Sequence, residues 1–186
     1  MSVEFNQLRS TRAILEAVKT ALTNLTITIG AQTPKAFQAV EICDLADWES
    51  VIQKFVIASD RVAIVLWAGD SYENNRQISV LSSRRTTKIE ILITDYRIED
   101  GVAGQLGDDS QPGSVGLLDA VLGELTGVVL DEEVGRDAVS LMPAGVERLT
   151  ITDADQQDAP GRNLISVTFD AVGQWMQVAC RSSSLT

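Results

Sequence analysis

Histidine is absent from the sequence. That absence removes Ser-His-Asp and Cys-His catalysis, together with every His-ligated metal site. Cysteine is scarce: the chain has only Cys43 and Cys180, and no CxxC pair. A zinc knuckle and a thioredoxin-type redox pair are therefore excluded. Two reduced, mostly buried thiols are expected, with a bridge between them left open. Lysine occurs only at positions 19, 35, 54 and 88, never in an S-x-x-K motif. A serine or threonine nucleophile thus has no evident base. Long apolar runs are missing as well. The longest, Val62–Ala68, is strand-sized, against the ~20 residues of a membrane span. Met1–Ser10 carries Glu4 and Arg9 and no apolar stretch, unlike a signal peptide. The expectation is a soluble protein made in a cytoplasm, with no cofactor, metal or catalytic residue.

What is present is an ordinary globular composition. Of 186 residues, 45% are apolar and 22% charged, which suits a single domain spanning 1–186 with a sizeable core. Acids outnumber bases 26 to 15, for a net charge of −11. Tight nucleic-acid binding needs clustered Lys and Arg and is not expected.

Hydrophobic spacing sets the order of elements. Leu8, Leu15, Val18, Leu22 and Leu25 predict a helix from about Asn6 to Asn24. Lys35–Ile42 reads as a strand. Asp44 is a good N-cap for a second helix reaching Ser59, with the stripe Leu45, Trp48, Ile52, Phe55 and Val56. Arg61–Ala68 is a continuous β-branched and apolar run suited to a central strand. Lys88–Tyr96 alternates as the next strong strand. Ser114 is expected to cap a third helix whose apolar face is Leu118, Val121, Leu122, Leu125 and Val129, closing near Gly127. Ala138–Met142, Val146–Thr152 and Asn163–Phe169 read as three more strands, the last two joined by an Asp153–Gly161 turn. The fold class is α+β: a mostly antiparallel sheet with two or three helices packed on it, and a long inter-strand loop.

That loop is Gly69–Thr87, which holds only one weak strand, Gln77–Leu81. A hairpin needs two to five connecting residues, so ~19 is a long excursion of the kind usually functional or disordered. Arg84-Arg85 is the chain's only pair of adjacent basic residues. Arg61–Lys88 carries five bases and two acids, whereas Asp95–Asp137 carries eleven acids and two bases. Such a separation lets copies pair heterologously. Tyr72, Arg76, Arg84, Arg85 and Lys88 are the candidate oligomer or partner contacts, and the connection is expected to act as an intermolecular arm outside the protomer core.

Other motifs carry less. Asp153, Asp155 and Asp158 resemble a calcium loop only in part, because the sixth position is Asp rather than Gly and the twelfth is Leu164 rather than Glu. Gly101, Gly104 and Gly107 have neither the spacing of a dinucleotide fingerprint nor a following Lys. No carboxylate pair stands out as a catalytic dyad.

Several pieces in order resemble one known family. They are the N-terminal helix, FQAVEICDLADW from Phe37, VAIVLWAGDSYE from Val62, IEILITDYR from Ile89, GSVGLLDAVLGELTGVVL from Gly113 and NLISVTFDA from Asn163. Together, over roughly Leu8 to Phe169, they resemble the tail-terminator (tail-completion) proteins of Mu-like contractile-tailed bacteriophages. The resemblance implies a virion structural protein with no catalytic residues. It implies a hexameric ring that caps the head-proximal end of the tail, ends polymerisation of tube and sheath and docks to the neck. The implied partners are other copies of the chain, the tail tube and sheath proteins and the neck or connector protein. DNA only passes through the channel, and no membrane is involved. The implied location is the virion tail, after assembly in the host cytoplasm. Two alternatives stay open: another head–tail neck or completion protein, and a small soluble binding module unrelated to virions.

Overall fold

The computed structural model describes residues 11–43, 61–77, 80–95, 106–107, 112–130, 139–151, 162–173 and 176–178. The helix expected over Asp44–Ser59, the Asp153–Gly161 turn, most of the Gly101–Gly113 loop and Cys180 lie outside the described residues.

Among the described residues, two helices pack on one mostly antiparallel open sheet, the α+β arrangement anticipated above. Helix α1 runs Thr11–Asn24 and buries Ile14, Leu15, Val18 and Leu22, the three-and-four spacing of a single stripe. Leu25 to Phe37 then forms a small tight turn-back. Ile27 N–H donates to the Pro34 carbonyl at 3.0 Å, and Ala36 N–H to the Leu25 carbonyl at 2.8 Å. Gly30 sits near its tip at φ 57°, where a residue without Cβ is favoured. Strand β1 is Ala39–Cys43, shorter than the expected Lys35–Ile42 stretch.

Strands β2, Arg61–Gln77, and β3, Val80–Asp95, form the spine of the sheet. β1 pairs parallel to the first part of β2, from Ala39 opposite Val62 to Cys43 opposite Leu66. A parallel pair needs a crossover of about a dozen residues or more, and residues 44–60 supply that length. Helix α2 is Gly113–Leu125, β4 is Val139–Ile151, β5 is Arg162–Gly173 and β6 is Met176–Val178. The strand order is β1-β2-β3-β5-β4, with β6 continuing alongside the outer part of β3.

The helices cover one face of this sheet. Their buried residues meet Ala63, Val65, Ile89, Ile91, Ile93, Leu141, Ile165, Val167 and Phe169 in one cluster. The opposite face has its own buried cluster of Val62, Ile64, Leu66, Leu92 and Leu164. Ser166 is buried on that face as well and donates to Glu90 Oε1 at 2.6 Å. Burial on both faces explains why Val62–Leu66 reads as an unbroken apolar run rather than an alternation.

Four sequence expectations need correction. Ser114 does not cap α2: the N-cap position is Pro112, with no side-chain cap hydrogen bond, and Ser114 is buried in the first turn. The apolar stripe of α2 is rotated by one position, because Leu117, not Leu118, is fully buried with Val121 and Leu125, while Val129 is exposed. Leu118 and Leu122 are only partly buried beside them. The segments read as two strands around Pro143 are one strand, β4, with a bulge between Pro143 and Gly145. β4 lies at the sheet edge, the position where a ladder tolerates a proline. The fourth correction concerns Gly69–Thr87. It is no loop: it is the outer half of the β2–β3 hairpin, paired from Gly69 opposite Lys88 to Gln77 opposite Val80. Only residues 78–79 connect the strands, a length that obeys the short-hairpin rule.

Packing predicts where substitutions hurt. Phe169→Ala empties a fully buried site shared by both helices' cluster and should cost about 3–5 kcal/mol. Val146→Ala on the exposed part of β4 should change stability by less than about 0.5 kcal/mol. Chemical denaturation of both variants checks the contrast.

Candidate functional site

The outer half of the β2–β3 hairpin is an arm with a third strand beside β3 at its base and again near its tip. β5 accompanies β3 up to Thr86 opposite Val172, and β6 takes over at Ser83, Ser82 and Leu81. On the other side β1 stops at Leu66, so among the described residues no strand flanks β2 from Trp67 onward. Nine paired positions from Gly69 to Gln77 make an arm roughly 30 Å long. Residues 71–75 are all exposed.

A bulge marks the arm's base. Trp67 stands opposite Ile89 and Gly69 opposite Lys88, leaving Ala68 as the extra residue. Gly69 has φ 116°, a backbone conformation that disfavours side chains. Beyond the bulge, residues directly opposite each other share a face. Asp70 with Thr87 and Tyr72 with Arg85 lie on the helix side, as Ile89 does. Ser71 with Thr86 and Glu73 with Arg84 lie on the other.

Adjacent residues of a strand point to opposite faces, so Arg84 and Arg85 part company. Arg84 Nη2 donates to Glu73 Oε2 at 2.6 Å, with the side chains 35% and 60% exposed. Arg85 Nη2 donates to Asp70 Oδ2 at 2.8 Å, and these side chains are only 13% and 16% exposed. Arg85 also donates to Thr11 Oγ1 at the start of α1. Thr87 Oγ1 donates to the second Asp70 oxygen at 2.7 Å. The Asp70 carboxylate thus joins both strands of the arm, and through Arg85 it holds the arm to the helix layer. Arg85 belongs to the fold of the protomer, in contrast to the expectation that both arginines stand outside its core.

The remaining candidates are spread along the arm. Tyr72 is 58% exposed on the helix side. Arg76 pairs with Leu81 in the register near the tip. Lys88 is exposed at the base, between Gly69 on β2 and Asp170 on β5. Spacing alone did not single out Asp70, Glu73, Thr11 or the exposed Trp67. A signal for Glu73 exists in the sequence, since reflecting the chain about residues 78–79 sets Glu73 opposite Arg84. The acids of the Asp95–Asp137 segment mostly fall on 96–105, 108–111 and 131–138, outside the described residues. No protein-family model matches this chain, and no curated protein matches it either.

The two arginines should behave differently on substitution. The exposed Arg84–Glu73 pair contributes at most about 1 kcal/mol, so Arg84→Ala should barely move the denaturation midpoint. Arg85→Ala leaves the largely buried Asp70 carboxylate without its cation and should cost about 3–5 kcal/mol. Urea titration of the two variants checks this; equal effects would contradict the division of roles.

Proposed function

We propose that the chain is a virion structural protein of the tail-terminator type. It forms a ring, six-fold on the tail, that caps the head-proximal end of the tube and sheath and presents a surface to the neck. The reading rests on the resemblance of its ordered sequence pieces to that family. The observation that supports it best is the arm: a hairpin fastened to the body at Asp70 and exposed over residues 71–75. A segment braced in this way keeps its shape before it meets a partner, which lowers the ordering cost of association. Tyr72, Arg76, Arg84 and Lys88 are the contact residues proposed on it, and Arg85 is the brace.

The role proposed is non-enzymatic. The chemistry of the chain offers no histidine, and a net charge of −11 suits a channel through which DNA slides without adhering. Partners are further copies of the chain, the tube and sheath proteins and the neck or connector protein.

Deletion of the gene from the phage that carries it should yield separate heads and tails, with tubes of irregular length in electron micrographs. An uncapped polymer end keeps adding subunits, so tails of normal, uniform length attached to heads would overturn the reading. Metal analysis and filter binding at ~50 mM salt form a second check: neither stoichiometric metal nor sub-micromolar DNA affinity is expected.

A further inference from the structure

Strands β2 and β4 are each open along half of one edge, and the halves are complementary. On β2, strand β1 occupies the edge from Val62 to Leu66 and leaves the edge from Trp67 to Gln77 without a strand among the described residues. On β4, residues 127–130 occupy the edge at Val139–Leu141: Leu130 N–H donates to the Val139 carbonyl and Leu141 N–H to the Val128 carbonyl, at 2.8 and 2.9 Å. Pro143, which has no N–H, comes next. From Gly145 to Ile151 no strand flanks β4 on the side away from β5 among the described residues.

Both open halves are also exposed in a way that sheet residues seldom are. A strand resting on a body hides every second side chain. Yet residues 71–75 of β2 and 142–148 of β4 are exposed at every position, whichever face they occupy. Tyr72 and Val146 are apolar surface within them, 58% and 48% exposed. Long unprotected edges are templates for another strand.

We propose that copies of this chain join edge to edge, the Trp67–Gln77 edge of β2 in one copy taking the Gly145–Ile151 edge of β4 in the next. The inference deepens the ring reading above and rests on it for the number of copies, though the joint itself follows from the sheet. Direction supports it. Along β4, β5, β3 and β2 each strand runs opposite to its neighbour. If every copy keeps the same orientation, β2 of one and β4 of the next are antiparallel too, and the alternation passes through the joint unbroken. Faces agree as well. Tyr72 lies on the helix side opposite Arg85, and Val146 on the helix side opposite Val167. They can stand opposite each other as an aromatic–β-branched cross-strand pair. The joint uses two different surfaces, so it is heterologous, and repeating it closes a ring when the rotation allows. Because the open halves lie toward opposite ends of the sheet, successive copies are staggered along the strands. A closed assembly then has strands tilted to its axis, as staggered strands in barrels are.

Disulfide trapping tests the joint. Chains carrying Tyr72→Cys are mixed with chains carrying Val146→Cys at high protein concentration, oxidised, and resolved without reductant, with linked peptides identified by mass spectrometry so that links through Cys43 or Cys180 are recognised. Directly opposite residues in an antiparallel pair have Cα atoms about 4.5–5.5 Å apart, within disulfide reach. The expected result is a mixed dimer in the majority of trapped material, at least tenfold above Ser71→Cys mixed with Val146→Cys, because Ser71 faces the other side. Self-linking of Tyr72→Cys in preference to mixed linking would overturn the joint in favour of arm-to-arm pairing. Self-association of the wild-type chain by sedimentation, with no mixed link, would overturn the joint and leave the ring reading standing. No association and no link would also overturn the joint, while the ring reading would still be decided by the tail-length phenotype.

Discussion

The Asp70 carboxylate is the point on which the geometry of the arm depends. One oxygen takes the Arg85 guanidinium and the other the Thr87 hydroxyl, while Arg85 reaches on to Thr11. A hairpin of two polar strands is marginal on its own in water. Here its base is fixed by a largely buried ion pair that spans β2, β3 and the start of α1. That pair lies where the apolar core ends: two register steps below, Phe169 and Ile89 are fully buried, and beyond the arm's base both strands turn polar. Apolar burial therefore sustains the body, and charge-assisted hydrogen bonds extend its order outward. Lys19, 2.9 Å from Glu41, does a lesser version of the same work between α1 and β1.

The body and the arm also differ in how sequence encodes them. Arg61–Ala68, Lys88–Tyr96 and Asn163–Phe169 were legible because burial imprints apolar residues on a strand, continuously where both faces are covered and alternately where one is. The arm has no buried face to imprint. Its strands, GDSYENNRQ and VLSSRRTTK, are stabilised by cross-strand partners, and such pairings appear only once the reflection point at 78–79 is known. Arg84 and Arg85 stood out by charge, but their opposite roles follow from strand alternation, which a loop assignment conceals. In the same way Pro143 divided β4 into two apparent strands, since a proline reads as a break until the strand is known to lie at an edge. The one-residue error in the phase of α2 came from its many apolar positions: Leu117, Leu118, Val121 and Leu122 allow two neighbouring stripes, and the packed sheet selects one.

The two bulges lie almost level with each other. Trp67, Ile89, Phe169 and Pro143 form one row across the sheet. The flanking strands β2 and β4 each gain a residue beside that row, whereas β3 and β5 pass through it in unbroken register. An extra residue bends its strand and sharpens the local twist. Lengthening the two flanks while the middle stays short puts a crease across the sheet. In mechanical terms the molecule is two plates joined along a line: a thick plate filled with side chains, and a thin plate of backbone and hydrogen bonds. The crease sets the angle at which the arm leaves the body, and the Asp70–Arg85–Thr11 contacts beside it hold that angle.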